Sequence, residues 1–134
     1  MSGLVLKLAP SERVLINGAV IKNVERPSKI TICTPETNIL RLKDAIHPEE
    51  VNTPIARVCY MLQLILSGDI PTEHGKKQVA AQIEQLQIIF QDQKSTVSLL
   101  EAQREISEGR IYSGLKLVRG LLPLEAILLK RNTP

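Results

Sequence analysis

The chain has 134 residues, 43 % of them apolar, with no tryptophan and only Tyr60, Phe90 and Tyr112 as aromatics, so Leu, Ile and Val must build a core sized for one domain or one domain with an appendage. No run is long enough to span a membrane, and Met1-Ser2-Gly3-Leu4 does not lead into a basic region and long apolar stretch; the chain is therefore expected in the cytoplasm, with no signal peptide and no membrane contact. Residues 1–47 hold seven cations against four anions and residues 48–134 hold ten of each, so the net charge of +3 belongs to the N-terminal part, for which a polyanion is the natural partner.

Residues 4–8, Leu-Val-Leu-Lys-Leu, alternate with period two and read as a strand that Pro10-Ser11-Glu12 ends. Asn17-Gly18 lies between Val14-Leu15-Ile16 and Ala19-Val20-Ile21. A type I′ turn needs positive φ at both central positions, and Asn-Gly supplies it, so strands are expected near 13–16 and 19–24. Arg26-Pro27-Ser28 turns into a fourth strand, Lys29–Cys33. Pro35-Glu36-Thr37-Asn38 turns into a fifth, Ile39-Leu40-Arg41-Leu42-Lys43, with Leu40 and Leu42 on its buried face. No helix is expected between 13 and 43. Five short strands bury too little alone, so the sheet should pack on helices or on a second copy.

The period changes near Pro48. Ile55, Val58, Cys59, Leu62, Ile65 and Leu66 recur at helical spacing between Pro54, suited to the first helical position, and Gly68, suited to the stop. A second helix is expected from about Pro71 to Gln91, with Val79, Ile83, Leu86 and Phe90 on one stripe. A third runs from about Asp92 to Glu108, with Val97, Leu100 and Ile106 buried and Gly109 as its stop. A fourth carries Ile111, Leu115, Val118 and Leu122, and Pro123 must kink it or start another. The end, Leu121 to Leu129, is apolar nearly all round and reads as buried or as an interface, with Leu121, Leu122, Leu124, Ile127 and Leu128 as its contact residues. The fold class is α+β: a small five-strand antiparallel β module (1–47), then a bundle of four to five helices (48–134).

Enzyme chemistry finds no support. There is no Gly-rich phosphate loop, no nucleophile elbow, and no Cys or His pair at metal spacing, so no cofactor and no metal are expected. His47 precedes Pro48 at a junction, and His74 lies in a polar stretch. Glu49-Glu50 suits a helix start, and Lys76-Lys77 a solvated first turn. Cys33 and Cys59 read as reduced, small core residues. The alternation of the fifth strand turns Arg41 and Lys43 away from its buried face, and Lys7 does the same on the first. If those strands meet, three cations share one edge suited to phosphates.

Leu4-Val5-Leu6-Lys7-Leu8-Ala9-Pro10, Ile16-Asn17-Gly18, Ala45-Ile46-His47-Pro48-Glu49-Glu50, Asn52-Thr53-Pro54, Arg57-Val58-Cys59-Tyr60 and Leu121-Leu122-Pro123-Leu124-Glu125-Ala126 together resemble the FlbT family, the flagellum biosynthesis repressors of α-proteobacteria. The likeness runs end to end and is most specific from Ile46 to Pro54. It implies post-transcriptional control: action at the 5′ untranslated region of flagellin mRNA, repression of translation, promotion of mRNA decay, and work alongside the small protein FlaF. Over residues 4–47 the strand order is also similar to the carbon storage regulator family of intertwined β dimers, which clamp mRNA leaders with basic residues of the first and last strands. In that likeness Lys43 takes the place of the key arginine and Lys7 falls beside the first basic pair, where Leu8 and Ala9 follow. Lysine lacks the planar fork of arginine.

The reading is therefore an RNA-binding regulator, not an enzyme. Lys7, Arg41 and Lys43 contact the flagellin mRNA leader, and neither DNA nor a membrane is a partner. Short strands with open edges and an apolar last helix imply a homodimer. The alternative is a protein-interaction module that binds flagellin or its secretion chaperone through the C-terminal helix, with indirect effects on mRNA.

Overall fold

Period-two alternation resolves into five antiparallel strands: β1 (Leu4–Leu8), β2 (Arg13–Ile16), β3 (Ala19–Lys22), β4 (Ser28–Ile32) and β5 (Ile39–Arg41). After 3₁₀ turns at Leu42–Asp44 and Pro48–Glu50 come five helices: α1 (Pro54–Ser67), α2 (Thr72–Ile89), α3 (Gln93–Ser107), α4 (Ile111–Arg119) and α5 (Leu122–Arg131). The computed structural model describes residues 3–34 and 37–131. Part of the expected turn at Pro35-Glu36 lies outside them.

The strands form two sheets, a β1–β4 ribbon and a three-stranded sheet in the order β3–β2–β5. Leu6, Leu8, Ile30 and Ile32 of the ribbon pack on Val14, Ile16 and Ile39 of the sheet. The other face of the sheet gives Leu15 and Leu40 to the helical core around Ile55, Leu62, Ile83, Leu99 and Leu115. The molecule is thus layered as ribbon, sheet and helices. Strand β5 lies between two apolar layers, so Ile39 and Leu40 are both buried although they point opposite ways.

Turn chemistry sets the joins. Asn17 and Gly18 adopt φ of 49° and 86°, as a type I′ turn demands. In the β1–β2 turn, Glu12 N–H donates to Ala9 O at 3.1 Å, Pro10 takes the second position, and Ser11 holds φ 65° at the third, a type II geometry usually given to glycine. Helix α1 opens on Pro54 with Thr53 Oγ1 accepting from Ala56 N, and it closes on Gly68 at φ 86°. Its N-terminus has a second acceptor from far along the chain: Oε2 of buried Glu125, in α5, accepts from Ile55 N at 2.8 Å. The Gln63 amide binds both backbone groups of Ile46, at 2.8 and 3.1 Å, and so ties the linker to α1.

Several expectations need correction. The fifth strand stops at Arg41, because Leu42–Asp44 coils into a 3₁₀ turn; Leu42 is exposed instead of joining Leu40, and a helical turn lies inside the stretch expected to have none. Strand β3 ends at Lys22, because Asn23 leaves the ladder to donate its amide to Leu8 O, Ala9 O and Arg26 O. In α3 the buried stripe is Ser95, Leu99, Ala102 and Ile106, while Val97 and Leu100 are exposed. Helix α3 is seated there by small-residue packing on α4: a Cβ on Gly114 would lie 2.5 Å from Ile106 Cγ1 and 3.4 Å from Ala102 O. Cys33 lies just past β4 and is exposed, whereas Cys59 is buried, and burial pushes its thiol up to about 12. In the last helical segment Leu121 is buried in the chain's own core, and Leu122, Leu124 and Leu128 pack against that core. Of the five expected interface residues only Ile127 is largely exposed.

One ion pair fastens the β layers. Arg41 Nε donates to Glu12 Oε2 at 2.6 Å, and Arg41 Nη2 donates to Glu12 Oε1 at 2.8 Å and to Lys7 O at 2.6 Å. Ala9 N–H donates to the same carboxylate at 2.9 Å. The fork joins β5, the β1–β2 turn and β1, with the two side chains 17 % and 5 % exposed. The Arg41 hydrogen bonds, helped by Ala9 N–H, lower the Glu12 carboxyl from its ordinary 4.5 to about 2.

Glu12 binds protons less readily when folded than when unfolded. Its contribution is complete above about pH 4.5 and is lost as pH falls toward about 2. Arg41→Ala leaves the carboxylate half-satisfied and should cost about 1.5–3 kcal/mol in urea melts at pH 7. Glu12→Gln should lose stability at pH 7 and show a flatter decline between pH 4.5 and pH 2 than the parent chain. Glu125→Ala, which strips the buried Ile55 N–H of its acceptor, should cost about 1–3 kcal/mol by the same assay.

Candidate nucleic-acid interface

The topology gathers the cations of the β module, with Glu12 and Glu25 among them. The β1–β2 turn, the β3–β4 link and the end of β5 all lie at one end of the sandwich, because β1, β3 and β5 finish there and β2 and β4 begin there. Every cation of residues 1–47 falls at that end: Lys7, Arg13, Lys22, Arg26, Lys29, Arg41 and Lys43. At the other end, Asn17-Gly18, Cys33-Thr34 and Thr37-Asn38 are uncharged.

Two pairs of cations stand directly opposite each other in the ladders. Lys7 on β1 faces Lys29 on β4, and Arg13 on β2 faces Lys22 on β3. All four are exposed. Like charges so placed destabilise an isolated sheet, so the arrangement favours an anion across each pair. Lys7 and Lys29 alternate with inward Leu6, Leu8 and Ile30, which sets them on the outer face of the ribbon. Arg13 and Lys22 share phase with Leu15, on the helix side of the sheet. Lys43, exposed on the 3₁₀ turn, sits near enough to Glu12 to help hold its carboxyl low, and Arg26 extends the end through the β3–β4 link.

Of the three site residues read from the sequence, Lys7 and Lys43 are exposed at this end. Arg41 does not point away as alternation implied: the side of β5 that it shares with Ile39 faces the ribbon, and its guanidinium is held by Glu12 and Lys7 O. Strands β1 and β5 do meet, but through that guanidinium and not as ladder neighbours. Sequence reasoning did not bring Lys29, Arg13 and Lys22 into this cluster. The signal for Arg13 and Lys22 was present, since a two-residue turn at Asn17-Gly18 fixes them four places either side of the turn and hence opposite each other. Lys29 needed the β1–β4 pairing, which no local pattern reveals. Among the described residues no three His, Cys, Asp or Glu gather as a metal site, and no helix is long and apolar enough to cross a membrane.

Comparison with known proteins gives one consistent answer. The family model described as "Flagellar protein FlbT" matches residues 4–129. The chain is 31 % identical over 131 residues to a probable flagellum biosynthesis repressor protein FlbT of Allorhizobium ampelinum, covering 98 % of this chain and 87 % of that one. It is 27 % identical over 124 residues to the protein of the same description from Chelativorans sp., covering 92 % and 84 %. It is 28 % identical over 127 residues to that of Mesorhizobium japonicum, covering 95 % and 85 %. No solved structure matches the chain. A family pattern that runs from the first strand to the last helix, and relatives matched over nearly their whole length, make this chain a member of the FlbT family.

Proposed function

We propose that this protein is a post-transcriptional regulator of flagellum biogenesis that binds the 5′ untranslated region of flagellin mRNA on the basic end of its β sandwich, repressing translation and promoting mRNA decay. The observation that carries this reading is the gathering of the module's cations at one end, with two cross-strand pairs left exposed. The relatives are described as repressors of flagellum biosynthesis, which suits a regulator of this class. Lys7 and Lys29 form one phosphate-binding pair, Arg13 and Lys22 a second, and Lys43 adds a fifth cation. Arg41 is a positioning residue: with Glu12 it fixes the strand ends that carry the others. Residues 1–47 contain no Phe, Tyr or Trp, so binding there rests on phosphates and polar contacts more than on stacked bases.

Fluorescence anisotropy with labelled flagellin leader RNA tests this. Lys7→Glu with Lys29→Glu should abolish binding while leaving the far-ultraviolet circular dichroism unchanged, since both side chains face solvent. Lys43→Ala alone should weaken binding and lower the slope of log affinity against log salt by about 0.7–1. Lys116→Ala, on α4, should change neither. A folded Lys7→Glu, Lys29→Glu chain that keeps its affinity and salt slope would refute the proposal.

A further inference from the structure

Among the described strands, β3 alone has every residue exposed. It is the outer strand of its sheet, and apolar Val20 and Ile21 are 60 % and 42 % exposed on opposite faces. An open apolar edge of this kind invites a further strand. The hydrogen-bond phase of the hairpin shows which backbone groups a further strand would meet. Asn23 N–H donates to Glu12 O at 2.9 Å and Asn23 O accepts from Ser11 N at 2.7 Å, so Asn23 faces β2. Alternation then turns the backbone groups of Ile21 and Ala19 toward β2 as well, and those of Val20 and Lys22 toward the free edge.

We infer that the protein forms a two-fold dimer through antiparallel pairing of β3 with β3 of a second copy, with Ile21 on the axis. In this register Val20 faces the partner's Lys22 and Lys22 faces the partner's Val20. The outward N–H and C=O groups of both residues are then matched, giving four hydrogen bonds, and Ile21 meets the partner's Ile21 at a non-hydrogen-bonded position where side chains lie closest. Other registers fail for stated reasons. A shift of one residue sets outward groups against inward ones. A shift of two toward the C-terminus sets Lys22 against the partner's Lys22 beside Arg13, which Lys22 already faces within the chain. A shift of two the other way sets Lys22 against Gly18, whose φ of 86° takes it out of strand geometry.

A second copy meets the charge requirement of this edge. A strand that joins this edge must bring no cation opposite Lys22, and β3 itself brings Val20. The product is a continuous six-stranded sheet, β5–β2–β3 followed by the same three in reverse, whose outer strands lie about 24 Å apart, five gaps of about 4.8 Å. Both basic ends are carried on that sheet. The inference rests on the hairpin geometry and holds whether or not RNA is the ligand.

Sedimentation equilibrium of the full chain at micromolar concentration tests it. The parent chain should have twice the single-chain mass. Val20→Pro should have the single-chain mass with an unchanged circular dichroism spectrum, because proline removes an N–H that points away from β2. Ile21→Lys and Ile21→Glu should each be monomeric alone, and an equimolar mixture should regain the double mass, because the two charges then meet across the axis. A parent chain of single-chain mass, or a folded Val20→Pro or Ile21→Lys chain that stays dimeric, would overturn the dimer. If Val20→Pro does not fold, the Ile21 pair decides, since failure of the mixture to associate counts equally against it.

Discussion

The Glu12–Arg41 fork is the contact on which the β module depends. Glu12 places a carboxylate in the seam where the β1–β2 turn, the end of β5 and the backbone of Lys7 converge, and it is nearly sealed from water. A charge there is tolerable only with a partner of fitting geometry. Arginine provides one: two nitrogens bind the carboxylate as a pair, and one of them also holds Lys7 O. Lysine at position 41 would present one compact charge and lose the fork. By fixing the strand ends, this pair sets where the remaining cations stand. It also neutralises Glu12, which leaves the positive surplus of residues 1–47 on exposed side chains.

The sheet carries a local conflict. Packing alone would not set Lys7 opposite Lys29 or Arg13 opposite Lys22, since each juxtaposition opposes pairing. The ribbon is held in spite of it by Leu6, Leu8, Ile30 and Ile32 against Val14, Ile16 and Ile39, and by the Asn23 amide across the adjoining turns. Where local charge placement works against stability, function is the first explanation to test. The helical part is neutral in sum: its ten cations and ten anions balance, and Arg110, for example, is paired with Glu105 and Glu108.

Much of this fold was legible in the residues, for reasons that are local. Asn17-Gly18 specifies its turn through φ, Pro54 and Gly68 bracket α1 through their backbone preferences, and Gly109 stops α3 at φ 90°. What escaped the sequence was set by long-range packing. Period two turned Arg41 outward because it assumes one buried face, whereas β5 is covered on both, and its partner Glu12 lies 29 residues away. Hydrophobicity assigns Val97 and Leu100 to the core, yet the fit of Ala102 and Ile106 against Gly114 decides which side of α3 faces inward. Glu125, 70 residues from Ile55, caps α1 through a contact that no spacing rule can reveal. Of the candidate site, Lys7 is legible from alternation and charge, Lys43 from charge alone because the strand that alternation assumes there ends at Arg41, and Lys29 only from the pairing of β1 with β4.

The proposed RNA contact lies on the basic end of the sandwich and not on the helical bundle. Titrating isotope-labelled full chain with flagellin leader RNA and mapping backbone amide shifts by nuclear magnetic resonance tests it residue by residue. The largest changes are expected at Lys7, Arg13, Lys22, Arg26, Lys29 and Lys43, with small ones at Asn17-Gly18 and along α2 to α5. Changes confined to the helices, or none at saturating RNA, would contradict it.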